Sequence, residues 1–180
     1  MQSFDLNCSY KIGNWSYFKE QIEYCNAHDM NIISPNEQIT SVNGNTSTTR
    51  FQGIFIKDQT VHYLPKGIEK FFPNLKVLTV YGSKQKSVTQ ADLKPLTKLE
   101  IVGFPGNDLK SLDGELFKFN PELRTVDFMS NNLSYVGKNL LRNLTKLQRT
   151  YFKNNPCIKI NAKSSSEIHA LVQKLKSSCN

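Results

Sequence analysis

No run of eighteen apolar residues occurs in this 180-residue chain, so no segment has the composition of a membrane-spanning helix. The amino end, Met1-Gln-Ser-Phe-Asp-Leu-Asn-Cys8, has neither a basic segment nor an apolar one after it, and so lacks a secretory signal. Histidine is scarce. His28, His62 and His169 are too dispersed in the sequence for a catalytic triad or a zinc cluster. G-x-S-x-G, H-E-x-x-H and P-loop patterns are absent, and the scattered carboxylates nominate no glycosidase pair. The expectation is a protein that is not an enzyme, with no catalytic residues, no metal and no cofactor.

Cysteine is missing from the whole stretch between Cys25 and Cys157. The four present allow three connectivities, and their grouping at the two ends favours Cys8–Cys25 and Cys157–Cys179. Separations of 17 and 22 residues offer none of the close C-x2-C pairs of a structural zinc site. Disulfides imply an oxidising compartment. Asn-x-Ser/Thr sequons at Asn7, Asn14, Asn45, Asn132 and Asn143 agree with that, the first weakened by the cysteine in its middle position. The expectation is a secreted, extracellular glycoprotein, since a mature or a recombinant form would both have lost the signal, modified at Asn14, Asn45, Asn132 and Asn143.

Hydrophobic residues make up 38% and the mean hydropathy is −0.45, in keeping with one domain carrying much polar surface. The net charge of +8 is uneven. Residues 1–50 hold three Lys/Arg against five Asp/Glu, whereas residues 146–180 hold seven against Glu167 alone. A pI near 9.3 points to anionic partners, such as acidic proteins, anionic polysaccharides, phospholipid surfaces or nucleic acid, or merely to solubility.

At a period of 24 residues, four segments superpose without a gap, beginning at Phe51, Leu75, Leu99 and Leu123, and a fifth begins at Leu147. Three residues on stand Ile54, Leu78, Val102, Val126 and Thr150; two further on stand Ile56, Val80, Phe104, Phe128 and Phe152. A polar column follows: Gln59, Ser83, Asn107, Asn131, Asn155. This is the L-x-x-L-x-L-x-x-N-x-L signature of the leucine-rich repeat. The i, i+3, i+5 spacing does not fit an array of amphipathic helices. The predicted fold is therefore α/β: a horseshoe-shaped leucine-rich repeat solenoid with a parallel concave sheet, an irregular convex side and disulfide-capped ends. The inward asparagines should hydrogen-bond backbone groups in each turn. Gln59 and Ser83 break the ladder and predict an irregular turn in the first two repeats.

Residues 1–50 read as an amino-terminal cap, 51–154 as the repeats and 155–180 as a carboxyl-terminal cap with a helix. In the last, Ser164-x-x-Glu167 has the form of a capping box, and Ile168, Leu171, Val172 and Leu175 share one helical face. In the first, Trp15, Tyr17, Phe18, Ile22 and Tyr24 lie between the cysteines. Ile32-Ile33 and Ile39–Val42 flank Pro35-Asn36-Glu37 and suggest a hairpin, with residues 43–49 as a loop into the first repeat.

With these repeats, Ile39-Thr-Ser-Val-Asn-Gly44, Val61-His-Tyr-Leu-Pro-Lys-Gly67, Phe72-Pro-Asn-Leu75 and Asn155-Pro-Cys157, the chain resembles over essentially its whole length the secreted leucine-rich repeat proteins of insects, especially mosquitoes and midges. The resemblance implies a role in innate immunity, as in the mosquito complement-like system, where the repeat domain is joined to a coiled coil. No heptad segment is present here.

Function should sit on the concave face, where strand residues alternate with the buried ones. Its rows run Gly53, Val77, Ile101, Thr125, Arg149, then Phe55, Thr79, Gly103, Asp127, Tyr151, then Lys57, Tyr81, Pro105, Met129, Lys153. Phe55, Val77, Tyr81, Ile101, Met129, Arg149, Tyr151 and Lys153 are the expected binding residues, since apolar exposed patches mark interaction sites. The expected partner is a protein or glycan ligand, or a second copy meeting the same face, without nucleic acid or a membrane span. The alternative is an anionic polysaccharide or microbial surface held at the basic carboxyl end.

Overall fold

The computed structural model of the protein describes residues 2–14, 21–44 and 49–179. Strand β1 (Ser3–Asn14) pairs antiparallel with β2 (Gln21–His28), and β3 (Asn31–Ile32) and β4 (Gln38–Val42) complete the amino end. Strands β5 (Gly53–Lys57) and β6 (Thr60–Val61) precede the one-turn helix α1 (Ile68–Phe71), and β7 (Val77–Tyr81) precedes the equally short α2 (Gln90–Leu93). After β8 (Ile101–Gly103), β9 (Ser111–Leu112), β10 (Thr125–Asp127) and β11 (Tyr135–Val136) the convex side is formed by turns alone. Strands β12 (Arg149–Tyr151) and β13 (Asn161–Ala162) then lead into α3 (Ser165–Ser178).

One nine-stranded sheet runs through the molecule in the order β13-β12-β10-β8-β7-β5-β2-β1-β4. From β5 to β12 the strands are parallel and in register one repeat apart: Ile54 opposite Leu78, Leu78 opposite Val102, Val102 opposite Val126, Val126 opposite Thr150. All five side chains are buried. Behind them Phe104, Phe128 and Phe152 stack as an aromatic spine, with ring centroids 5.7 and 5.5 Å apart. The chain is a leucine-rich repeat solenoid.

The polar column holds the turns between strand and convex side. Asn107 Oδ1 accepts the N–H groups of Ser83 and Gln85, and its Nδ2 donates to the carbonyl of Val80. Asn131 and Asn155 repeat this one and two turns on, accepting from Leu109 and Leu133. Gln59 Oε1 accepts from Met30 N–H, and Ser83 Oγ from Gln59 N–H, so the longer and the shorter side chain both carry the ladder on. The residue before each ladder position is left-handed, with φ from 53° to 68° at Asp58, Gly82, Gly106, Ser130 and Asn154. This conformation suits Gly, Asn and Asp, which fill most of the column. Lys84 is a further left-handed residue, φ 59°, in the turn where serine replaces asparagine.

The predicted hairpin between Ile32-Ile33 and Ile39–Val42 does not form. Instead β3 pairs parallel with β6, and β4 pairs parallel with β1. The buried Glu37 explains the divergence: its Oε1 accepts from Ile33 N–H at 2.8 Å and Ser34 N–H at 2.9 Å, closing a tight turn that sends the flanking strands to different partners. Strand β2 stacks on β5 with Cys25 opposite Ile54 and Ala27 opposite Ile56, so the segment before Phe51 supplies a solenoid strand of its own. Asp29, φ 55°, is its left-handed turn residue.

Antiparallel strands close the parallel run at both ends, β1 on β2 and β13 on β12. Disulfides join Cys8 to Cys25 and Cys157 to Cys179. Helix α3 begins as a half capping box. Ser164 Oγ accepts from Glu167 N–H, whereas the Glu167 carboxylate takes the N–H of Lys163 rather than that of Ser164. Leu171 and Leu175 enter the core; Ile168 and Val172 are left half-buried beside it.

Candidate functional site on the concave sheet

The three rows of the concave face differ in exposure. In the first, Val77 is 0% exposed and Ile101 5%, which corrects the expectation that both are open anchors. Ile22 packs with them in a small cluster separate from the main core. Gly53 permits this. A Cβ there would stand 2.9 Å from Cβ of Tyr24 and 3.4 Å from Cδ1 of Ile22. Thr125 is buried in the same row and Arg149 is half-buried.

In the middle row Phe55, Thr79, Asp127 and Tyr151 are half-buried, and Gly103 leaves a low point between Thr79 and Asp127. The third row is the open one. Tyr81 is 44% exposed, Pro105 and Met129 are half-buried, and Lys57 and Lys153 stand exposed at its ends. Lys57 Nζ lies 5.7 Å from the Tyr81 ring centroid, a cation–π distance. Met129 is held from the carboxyl side, where Asn161 Nδ2 donates to its sulfur at 3.7 Å. The eight proposed binding residues thus divide: Tyr81, Met129 and Lys153 form one accessible strip, Phe55 and Tyr151 lie in the half-buried middle row, Arg149 lies in the closed row, and Val77 and Ile101 are packed against Ile22 of β2.

Asp127 is the only carboxylate on these rows. Burial pushes its pKa up to about 6, while the hydrogen bond from Met129 N–H, 2.9 Å to its Oδ1, works in the opposite direction. Between the unfolded value near 3.8 and the folded value near 6 the native state holds more protons, so stability falls as pH rises through that window. Asp127→Asn keeps an acceptor for Met129 N–H and removes the charge. It is expected to raise stability at pH 7 by about 1–2 kcal/mol and to leave it unchanged at pH 3. Urea unfolding at the two pH values checks this; an equal effect at both would show that the charge is not what costs stability.

Asn14, Asn132 and Asn143 are exposed; Asn45 lies outside the described residues, as do Trp15, Tyr17 and Phe18. Among the described residues no three His, Cys, Asp or Glu side chains converge as a metal site, and no helix is long and apolar enough to cross a membrane.

No protein-family model matches the sequence. The chain is 34% identical over 58 residues to leucine-rich repeat-containing G-protein coupled receptor 5 of Xenopus tropicalis, a stretch that is 32% of this chain and 6% of the receptor. Two structures of the Toll–Spatzle complex, described as a molecular hub in Drosophila development and innate immunity, are similar in fold. One aligns with a TM-score of 0.56 at 18% identity over 59% of this chain and 14% of the other. The glycosylated form aligns with a TM-score of 0.57 at 15% identity over 69% and 18%. The chain therefore spans a small part of the length of each protein it matches, and what it shares with them is the stacked leucine-rich repeat.

Proposed function

We propose that this chain is an extracellular binding module, not an enzyme, that holds a protein ligand against the open strip of its concave sheet. The observation that carries this is the composition of the third row: an exposed tyrosine with proline and methionine beside it, bounded by a lysine at each end. Aromatic and Met side chains are the groups that concentrate in interface cores, with charge at the rim. The Toll–Spatzle structures, complexes of a solenoid of the same fold, support the choice of a protein ligand over a glycan; the innate-immune role rests on the sequence resemblance to secreted insect proteins. Two disulfides support an oxidising, extracellular setting, in which the sequons at Asn14, Asn45, Asn132 and Asn143 would carry the glycans.

Tyr81→Ala with Met129→Ala tests the strip. Each truncation of a central anchor is expected to weaken binding by about 1–2 kcal/mol, with little change in the unfolding midpoint for the exposed Tyr81. Light scattering separates a ligand from a second copy. Loss of self-association would make the strip a dimer face, loss of capture from the native tissue fluid would make it a ligand face, and a folded double variant unaltered in both would exclude the concave sheet.

A further inference from the structure

All of the net charge lies at one end. Residues 1–137 carry 14 Lys/Arg and 14 Asp/Glu, whereas residues 138–180 carry nine against Glu167. Among the described residues, Lys57, Lys66, Lys76, Lys118 and Arg124 of the repeats stand in ion pairs with Asp58, Asp92, Glu100, Glu115 and Glu100, and at the carboxyl end Lys146 pairs with Glu122. The carboxyl end carries the excess of cations. Between α3 and the convex turn of the last full repeat lies a groove of about 580 Å³, within the range of ligand-binding clefts. Its rim is Lys138 and Arg142 on the repeat side, and His169 and Lys176 on the helix; its floor is Leu141, Ile168 and Val172. No carboxylate lines it. Lys138 and Arg142 make no ion pair among the described residues.

Both halves of this lining have a structural origin. Helix α3 turns Leu171 and Leu175 into the core, so Ile168 and Val172, on the neighbouring stripe, are left half-buried against Leu141. His169 and Lys176 follow that stripe at i, i+7, and positions 165 to 176 run for about 16 Å along the helix. The slot is long, aliphatic at the bottom and cationic at the edge.

We infer that this groove binds an acidic peptide segment of a partner protein, one that places an apolar side chain on the Leu141–Ile168–Val172 floor and carboxylates beside Lys138 and Arg142. Charge complementarity selects an anion. The aliphatic floor then favours a peptide over a sulfated polysaccharide, whose hydroxyls and sulfates would leave that floor against polar groups. The site is independent of the concave strip, on the opposite side of the repeats.

The test is fluorescence anisotropy with the full chain and a labelled acidic peptide of about ten residues bearing a central Leu-Leu pair. The same peptide with Gln-Gln in that place, and a heparin-derived oligosaccharide, are the other two probes. The Leu-Leu peptide is expected to bind about tenfold or more tightly than the Gln-Gln peptide. Lys138→Glu with Arg142→Glu should weaken it by at least about tenfold, because attraction becomes repulsion. Lys174→Glu, which makes the same type of charge change on α3 outside the lining, should change it less than about twofold. Tyr81→Ala with Met129→Ala should bind the peptide normally, so failure of the concave strip and failure of the groove are told apart. Equal affinity for the two peptides, an oligosaccharide that binds more tightly than either, or an equal loss from the Lys174 and the Lys138/Arg142 changes would each overturn the proposal.

Discussion

Replacing Asn131 with alanine is expected to destabilise the fold by about 2–4 kcal/mol, because more than one buried backbone group loses its partner. Asn131 is 5% exposed and is the middle one of the three ladder asparagines. Its Oδ1 accepts Leu109 N–H at 3.1 Å, and its Nδ2 donates to the carbonyl of Phe104 at 2.8 Å and to that of Phe128 at 3.1 Å. Phe128 keeps a second donor in Asn155 Nδ2, so its carbonyl survives the change. The Leu109 amide, turned inward between two repeats, does not regain an acceptor without a shift of the turn. Ser83→Ala is the comparison. Its hydroxyl takes one amide, Gln59 N–H at 3.2 Å, and gives its proton to the nearby Tyr81 carbonyl, so the cost should be about 1 kcal/mol. Urea denaturation of both variants measures the difference. Equal midpoints would mean that the asparagine is not what holds the turn.

The parts of the fold that were legible in the sequence are those that repeat. Strand positions such as Val102 and Val126 return every 24 residues because identical turns must stack in register, and a register error would bury charge at once. The left-handed column at Asp58, Gly82, Gly106, Ser130 and Asn154 carries an equally good signal, in residues that tolerate positive φ, but outside the hydrophobic pattern. Asn120, as a polar residue, stands outside the hydrophobic pattern too. It occupies an apolar column with Leu96 and Leu144, yet it is fully buried and donates to the carbonyls of Leu93 and Leu96, 27 and 24 residues away. At the amino end no period exists to read. Cys25 and Ala27 occupy buried strand positions without resembling leucine, and the Glu37 turn redirects the strands through a contact that composition does not announce.

The same limit governs the candidate site. Alternation along a strand tells which side chains leave the core, and it placed Tyr81, Met129 and Lys153 where they stand. It does not tell whether something from elsewhere in the chain covers them. Val77 and Ile101 are outward by parity and buried in fact, because Ile22, far away in sequence, lies across Gly53 onto them. Truncating Ile101 is therefore a change to packing as well as to the concave face. The basic groove was visible only as a charge excess. Its aliphatic floor emerges when α3 divides Ile168 and Val172 from Leu171 and Leu175.

Gly137→Ala is expected to cost about 2–4 kcal/mol, toward the severe end for adding one methyl group to a packed site. The convex turns of the last two full repeats meet backbone to backbone at this point. A Cβ on Gly137 would stand 2.2 Å from the nitrogen of Gly114, 2.5 Å from its Cα and 3.1 Å from the carbonyl carbon of Asp113. None of these atoms can move as a flexible side chain moves. Gly137 N–H donates to the Leu112 carbonyl, and the preceding Val136 N–H to that of Cys179, so the turn is tied on one side to the neighbouring repeat and on the other to the disulfide-linked end of α3. Relief of the clash must stretch one of these ties. Gly114→Ala is the control, because the contact is not reciprocal: its Cβ would meet Gly137 no closer than 3.4 Å and Asn139 N at 3.5 Å, ordinary packing distances. It should change stability by less than about 1 kcal/mol. Gly137 also leads directly into Lys138 and Asn139, which line the basic groove, so a displaced turn carries part of the rim with it. Thermal unfolding of the two variants, with peptide anisotropy on whatever fraction of Gly137→Ala stays folded, decides the matter. Similar melting for both would show that the repeats are spaced more loosely than this contact requires, whereas a low-melting Gly137→Ala with weakened peptide binding would tie the groove to the stacking of the final repeats.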